Sequence, residues 1–150
     1  MHPRIDLARS ETANKLTGPM LTANKNLEGT NLPPTTMELV KIRASQINGC
    51  ARCLEIHTSA ATKLGMPAEK LHLLAGWRDA TVFSEPERAA LEMTEAGTRL
   101  ADAGGIPDDV WAHAAKHYDD EQMTALVAQI ALINAFNRVN IMTQQPNVNR

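Results

Sequence analysis

The 150-residue chain has two cysteines, Cys50 and Cys53, separated by two residues, and His57 follows four positions after the second. On an α-helix of about 3.6 residues per turn, Cys50, Cys53, Leu54, His57, Ala60, Ala61 and Leu64 share one face. Arg52, Glu55, Ser59, Thr62 and Lys63 take the other. Both sulfurs and the imidazole are therefore expected to point inward with the apolar residues. Thiols at i and i+3 are close enough to interconvert with a disulfide. His57 lies one turn beyond Cys53, near enough to take or share its proton. Asn48-Gly49 breaks the chain just ahead. Cys50 thus falls at a helix start, where free N–H groups and the helix dipole favour a thiolate.

Three chemistries fit this cluster. In a redox dithiol, one thiolate attacks an oxidised substrate and the other cysteine resolves the product into a disulfide. In a metal site, Cys50, Cys53 and His57 would be ligands with a fourth from elsewhere. The third possibility is a pair of packed core thiols. Structural zinc usually takes two such pairs, or one pair with two matched histidines, and no second cluster is visible in the sequence. Glu38 has two uses. It stands three residues after Thr35, the spacing of a capping box, and it could also orient His57 or relay its proton. Glu38 and His57 alone could act as acid and base on a lactone or keto acid.

Other polar groups read as structural. His113 and His117 are i, i+4 neighbours with no acidic residue or cysteine at useful spacing, which suggests a solvated face. His72 reads as a surface or interface residue. Asn134, Asn137, Arg138 and Asn140 interrupt an apolar helix and, if buried, need partners across helices or subunits. Lining of a substrate pocket is their less favoured use.

The elements that must position these groups are helical. Aromatic residues make up only 3% of the chain, so the core must be built from Ala, Leu, Ile, Val and Met. No segment alternates with period two, and the chain is expected to be an all-α single domain. Helices are expected over 10–27 with a break at Gly18-Pro19, over 35–47, 50–64 and 68–77, from the Ser84/Glu87 capping box to about 101, and over 107–117. A long last helix, capped by Asp119, is expected to be central or at a subunit interface. A formal net charge of −2 gives no case for nucleic acid or an anionic membrane as partner. No stretch reads as long and apolar enough to span a bilayer, and the first residues lack the apolar core of a signal peptide. A cytoplasmic location follows as the expectation. In that reducing compartment, two cysteines at this spacing read as catalytic or metal-binding.

The run from Glu38 through Cys50-Ala-Arg-Cys53-Leu-Glu-Ile-His57 resembles the core motif of the AhpD-like alkylhydroperoxidase branch of the carboxymuconolactone decarboxylase family. The spacing is Glu, eleven residues, Cys, two residues, Cys, three residues, His. The segments 77–91 and 134–138 are similar to the same family, so the resemblance covers about 35–145. Residues 1–34 are then an N-terminal helical and linker segment, and 146–150 a polar tail. The resemblance implies an AhpD-like all-α fold that oligomerises through its helices as homotrimers or homohexamers. It also implies a thiol-dependent peroxidase acting on organic hydroperoxides. Cys53 would be the attacking thiolate and Cys50 its resolving partner, with His57 relaying a proton and Glu38 supporting it. A small dithiol or a lipoylated protein would be the reductant, with no metal, flavin or haem cofactor. The studied AhpD proteins carry a histidine immediately before the second cysteine, where this chain has Arg52. True decarboxylase members lack the cysteine pair.

Overall fold

The computed structural model describes residues 2–148, so the last two residues of the expected tail lie outside it. Eight α-helices and one 3-10 turn form the fold, with no strand among the described residues.

Helix α1 (Glu11–Glu28) begins where the Ser10 hydroxyl accepts the Ala13 N–H at 3.2 Å. It runs unbroken through Pro19, contrary to the expected interruption. A residue before proline is normally pushed out of the helical region by a clash with its Cβ, and Gly18 has none. No residue of α1 is buried, so the helix lies on the outside of the fold.

Helix α2 (Pro34–Asn48) is the hub. It packs against α3 (Ala51–Lys63), α5 (Glu85–Thr98) and α8 (Asp120–Met142). Consecutive residues Leu39 and Val40 are fully buried, as are Ile42 and Ala44, so its whole girth is covered. Burial of each large aliphatic side chain contributes about 1.5–3 kcal/mol. The expected Thr35/Glu38 capping box does not form. Pro33 occupies the N-cap and has no side-chain acceptor, while Glu38 turns toward α3 instead.

The expected 68–77 helix is split into α4 (Ala68–Leu73) and a 3-10 turn at Leu74–Gly76. The Ser84/Glu87 capping box forms as the spacing predicts. Helix α5 ends at Thr98, short of the expected 101, and the chain restarts as α6 (Leu100–Ala103). Helix α7 (Asp108–Ala115) follows, and Asp119 caps α8 through a box with Gln122.

Helix α8 is, by length and composition, apolar enough to cross a membrane, which the sequence expectation missed. In the fold it packs Met123, Leu126, Ile130 and Ile133 into the interior. It also joins α2 through a buried polar set. Asn48 Nδ2 donates to the side-chain oxygens of Asn134 and Asn137, both at 2.9 Å, and Asn137 Nδ2 donates to Ser45 Oγ at 3.0 Å. The expected hydrogen bonding of these asparagines thus runs between helices of one chain. Gly97 marks the close approach of α5 and α8, because a Cβ there would meet Ile130 Cγ2 at 2.8 Å.

Glu95 ties three parts together. Its carboxylate accepts from Arg43 Nη2 at 2.6 Å, Trp77 Nε1 at 2.8 Å and Arg78 Nη2 at 3.0 Å. Burial pushes this carboxyl up, but these donors outweigh it and hold it below its ordinary value. The segment 77–91 therefore fixes α5 against α2 rather than contributing to the cysteine cluster.

Candidate active site

The chain leaves α2 through Gly49, at φ 73°, a left-handed turn that suits glycine. Cys50 thereby becomes the N-cap of α3, and its sulfur accepts the Cys53 N–H at 3.4 Å. Cys50 and Cys53 are joined in a disulfide, with Cα atoms 5.4 Å apart. Both are 2% exposed and pack with Ala44 and Ile133. The inward face predicted for α3 holds at Cys50, Cys53 and Ala61, with His57 half-buried. Leu64, past the last turn, is instead exposed.

His57 Nδ1 lies 3.0 Å from Glu38 Oε2. The other carboxylate oxygen of Glu38 accepts from Lys41 Nζ at 2.9 Å, and that ammonium-bearing side chain is only 3% exposed. Burial pushes the Glu38 carboxyl up, but the His57 hydrogen bond and the Lys41 charge outweigh it and hold it below its ordinary value. Glu38 is therefore an ionised acceptor at neutral pH. A carboxylate only accepts, so Nδ1 carries the imidazole proton, and Nε2 is the ring position left for proton transfer. Of the four residues singled out in the sequence, Cys50 and Cys53 are bonded, and Glu38 is in contact with His57, one turn beyond Cys53.

Two further residues bear on the sulfurs. Asn140 Nδ2 on α8 lies 3.3 Å from Cys53 Sγ. It stood out in the sequence only as a polar break in an apolar helix. Arg52 donates to the Pro146 carbonyl at 2.6 Å and so holds the C-terminal segment against α3. Cys50 opens on a cleft of about 360 Å³ between the start of α3 and residues 144–147.

The metal alternative finds no ligand set, since no three His, Cys, Asp or Glu side chains are grouped to hold an ion among the described residues. His113 differs from its solvated expectation. Its Nδ1 meets Glu92 on α5 at 2.7 Å, with Glu85 at 3.9 Å from Nε2. That pairing crosses helices, which spacing within α7 could not reveal. His72 is exposed as expected.

The model of the carboxymuconolactone decarboxylase family matches residues 17–96, just over half of the chain. The chain belongs to this family. The uncharacterized protein YdfG of Bacillus subtilis is 39% identical over 122 residues, which is 81% of this chain and 82% of that protein. A crystal structure from Agrobacterium tumefaciens, of a protein of unknown function given as a candidate antioxidant defence protein AhpD, superposes with a TM-score of 0.92 at 28% identity. It covers 99% of this chain and all of the other. Both the all-α fold and the motif place this member in the AhpD-like branch. The debrominase Bmp8 shares the fold at a TM-score of 0.81 and 19% identity, covering 92% of this chain and 74% of its own.

Proposed function

We propose that this family member is a thiol-dependent peroxidase that reduces organic hydroperoxides through a Cys50–Cys53 dithiol and disulfide cycle. One observation carries the proposal: a Cys50–Cys53 disulfide, spanning two intervening residues, at the start of the helix whose next turn holds the Glu38-bound His57. The Cys53 thiolate attacks the distal peroxide oxygen. The S–O bond forms as the O–O bond breaks, the alkoxide takes the Nε2 proton of a His57 ring protonated on both nitrogens, and Cys53 becomes a sulfenic acid. The Cys50 thiolate then displaces hydroxide from that sulfur, giving the disulfide and, with a proton, water. A small dithiol or a lipoylated protein returns two electrons and restores both thiols. Glu38 keeps the His57 ring in one tautomer and orientation.

The cycle uses no metal, flavin or haem. Its setting is proposed to be cytoplasmic, in a homotrimer or homohexamer without nucleic acid or membrane partners. The test is peroxide consumption by the reduced protein, with cumene hydroperoxide as substrate and dihydrolipoamide as reductant. Turnover in wild type that disappears in Cys53→Ser and in Cys50→Ser supports the cycle. Absence of turnover, with both thiols still titratable after peroxide, overturns it. The acid–base alternative on a lactone instead requires activity that survives replacement of both cysteines.

A further inference from the structure

The two sulfurs differ in what donates to them. The backbone N–H offered by the start of α3 goes to Cys50, whose sulfur accepts it from Cys53 N. Cys53 sits one turn inside the helix, and its sulfur is met instead by the Asn140 side chain, which arrives from α8, 87 residues on in the sequence. Cys53 is 2% exposed, so water gives its sulfur little help. Burial alone favours the neutral thiol over the thiolate. A thiolate can only accept hydrogen bonds, and the Asn140 NH2 can only donate them. Donors to a charged acceptor stabilise it more than donors to a neutral one.

We propose that Asn140 is a catalytic residue, its side-chain N–H holding the Cys53 sulfur in the thiolate form needed for attack. This rests on the peroxidase cycle proposed above and names the group that activates its nucleophile. The same contact acts in the return half of the cycle. Cys50, unlike Cys53, is among the residues that line the cleft beside residues 144–147, so a reductant thiolate attacks there. A bond forms from the reductant sulfur to Cys50, the Cys50–Cys53 bond breaks, and the electron pair leaves on Cys53. Asn140 then stabilises the departing thiolate. The second thiol of the reductant attacks the mixed disulfide, releases Cys50 and carries away the oxidised dithiol.

The experiment measures the pH dependence of iodoacetamide alkylation at Cys53, located by peptide mass mapping, in the fully reduced chain. Wild type is compared with Asn140→Ala and with the isosteric Asn140→Asp, which keeps the packing and loses the donor. The alkylation midpoint is expected to rise by about one pH unit in Asn140→Ala, and further in Asn140→Asp, where a second negative charge faces the sulfur. The peroxide rate at pH 7 should fall about tenfold in Asn140→Ala with the melting temperature little changed. Equal midpoints in all three proteins overturn the proposal, even if wild type consumes peroxide. A shifted midpoint in a wild type that turns over no peroxide keeps Asn140 as the donor to Cys53 and overturns only the peroxidase cycle.

Discussion

Glu38 and His57 meet at 3.0 Å across two helices, nineteen positions apart in the sequence. The other oxygen of the same carboxylate holds the buried Lys41 ammonium. One side chain thus serves both the proposed proton relay and the balance of charge inside α2. Glu38→Gln should cut peroxide turnover by about 10- to 100-fold, as loss of an orienting partner does. It should also cost about 3–5 kcal/mol in stability, because Lys41 is left buried without its counter-charge. The double variant Glu38→Gln, Lys41→Met separates the two effects. Urea unfolding should return toward wild type while turnover stays low, and recovery of turnover would remove Glu38 from the relay.

His57→Gln tests the relay without disturbing Lys41. Turnover of hydroperoxide should fall about 100-fold, the scale of a lost general acid. Oxidation of the dithiol by diamide needs no protonated alkoxide and should be nearly unchanged. Equal losses with both oxidants would mean that His57 acts on the sulfur rather than on the leaving group.

Acid should unfold the protein through Glu38 and Glu95, both held below the ordinary carboxylate value. The unfolded chain binds more protons on these groups, so their stability is fully present above the unfolded carboxylate value of about 4.3. It is lost as pH falls through the folded values. Stability should be flat from neutral pH to about 5 and decline below it. Glu95→Gln, which leaves Arg43 and Arg78 short of an acceptor, should cost about 2–4 kcal/mol at pH 7. Melting curves at pH 7 and pH 3.5 check the sign, since the gap between variant and wild type must narrow in acid.

Gly97→Ala probes the contact of α5 with α8. The added methyl would lie 2.8 Å from Ile130 Cγ2, on a β-branched side chain that helix α8 holds to one strongly preferred rotamer. Overpacking of this kind costs about 1–3 kcal/mol. In an unconstrained helix the same change would stabilise, so a higher urea midpoint in the variant would show that the helices can part without cost.

The structure was legible from the sequence wherever the cause was local. Ser84 with Glu87 and Asp119 cap their helices as the sequence predicts, because a cap needs only residues within one turn. The same local rule failed at Thr35 and Glu38, where His57 from α3 and Lys41 one turn on in α2 claim the carboxylate. The Gly18-Pro19 pair reads as a break because proline gives the helix no N–H and glycine weakens it, yet α1 runs on through both. The cysteine motif and its face were visible from i, i+3 and i, i+4 spacing. Asn140 on Cys53, Arg52 on Pro146 and His113 on Glu92 were not, since each joins elements whose approach is set by packing rather than by neighbouring residues.

Arg52, immediately before the second cysteine, clasps the Pro146 carbonyl, while Glu55 Oε2 accepts the Val148 N–H at 2.7 Å. Arg52→Ala should loosen this end about tenfold, the worth of one charged hydrogen bond. Carboxypeptidase trimming should speed up accordingly. Reduction of the disulfide by dithiothreitol should also quicken, because residues 144–147 roof the cleft onto which Cys50 opens, while attack on peroxide stays within about twofold. Unchanged reduction kinetics would show that reductant reaches the pair by another route.

The disulfide closes a ring of one helical turn, between Cα atoms 5.4 Å apart, the spacing that the turn imposes in any case. A loop so short removes little freedom from the unfolded chain. The bond therefore adds little as a brace, and breaking it asks little movement of α2, α3 or α8. Oxidised and reduced protein should melt within a few degrees of each other. The pair stores two electrons in a scaffold that is indifferent to whether they are there.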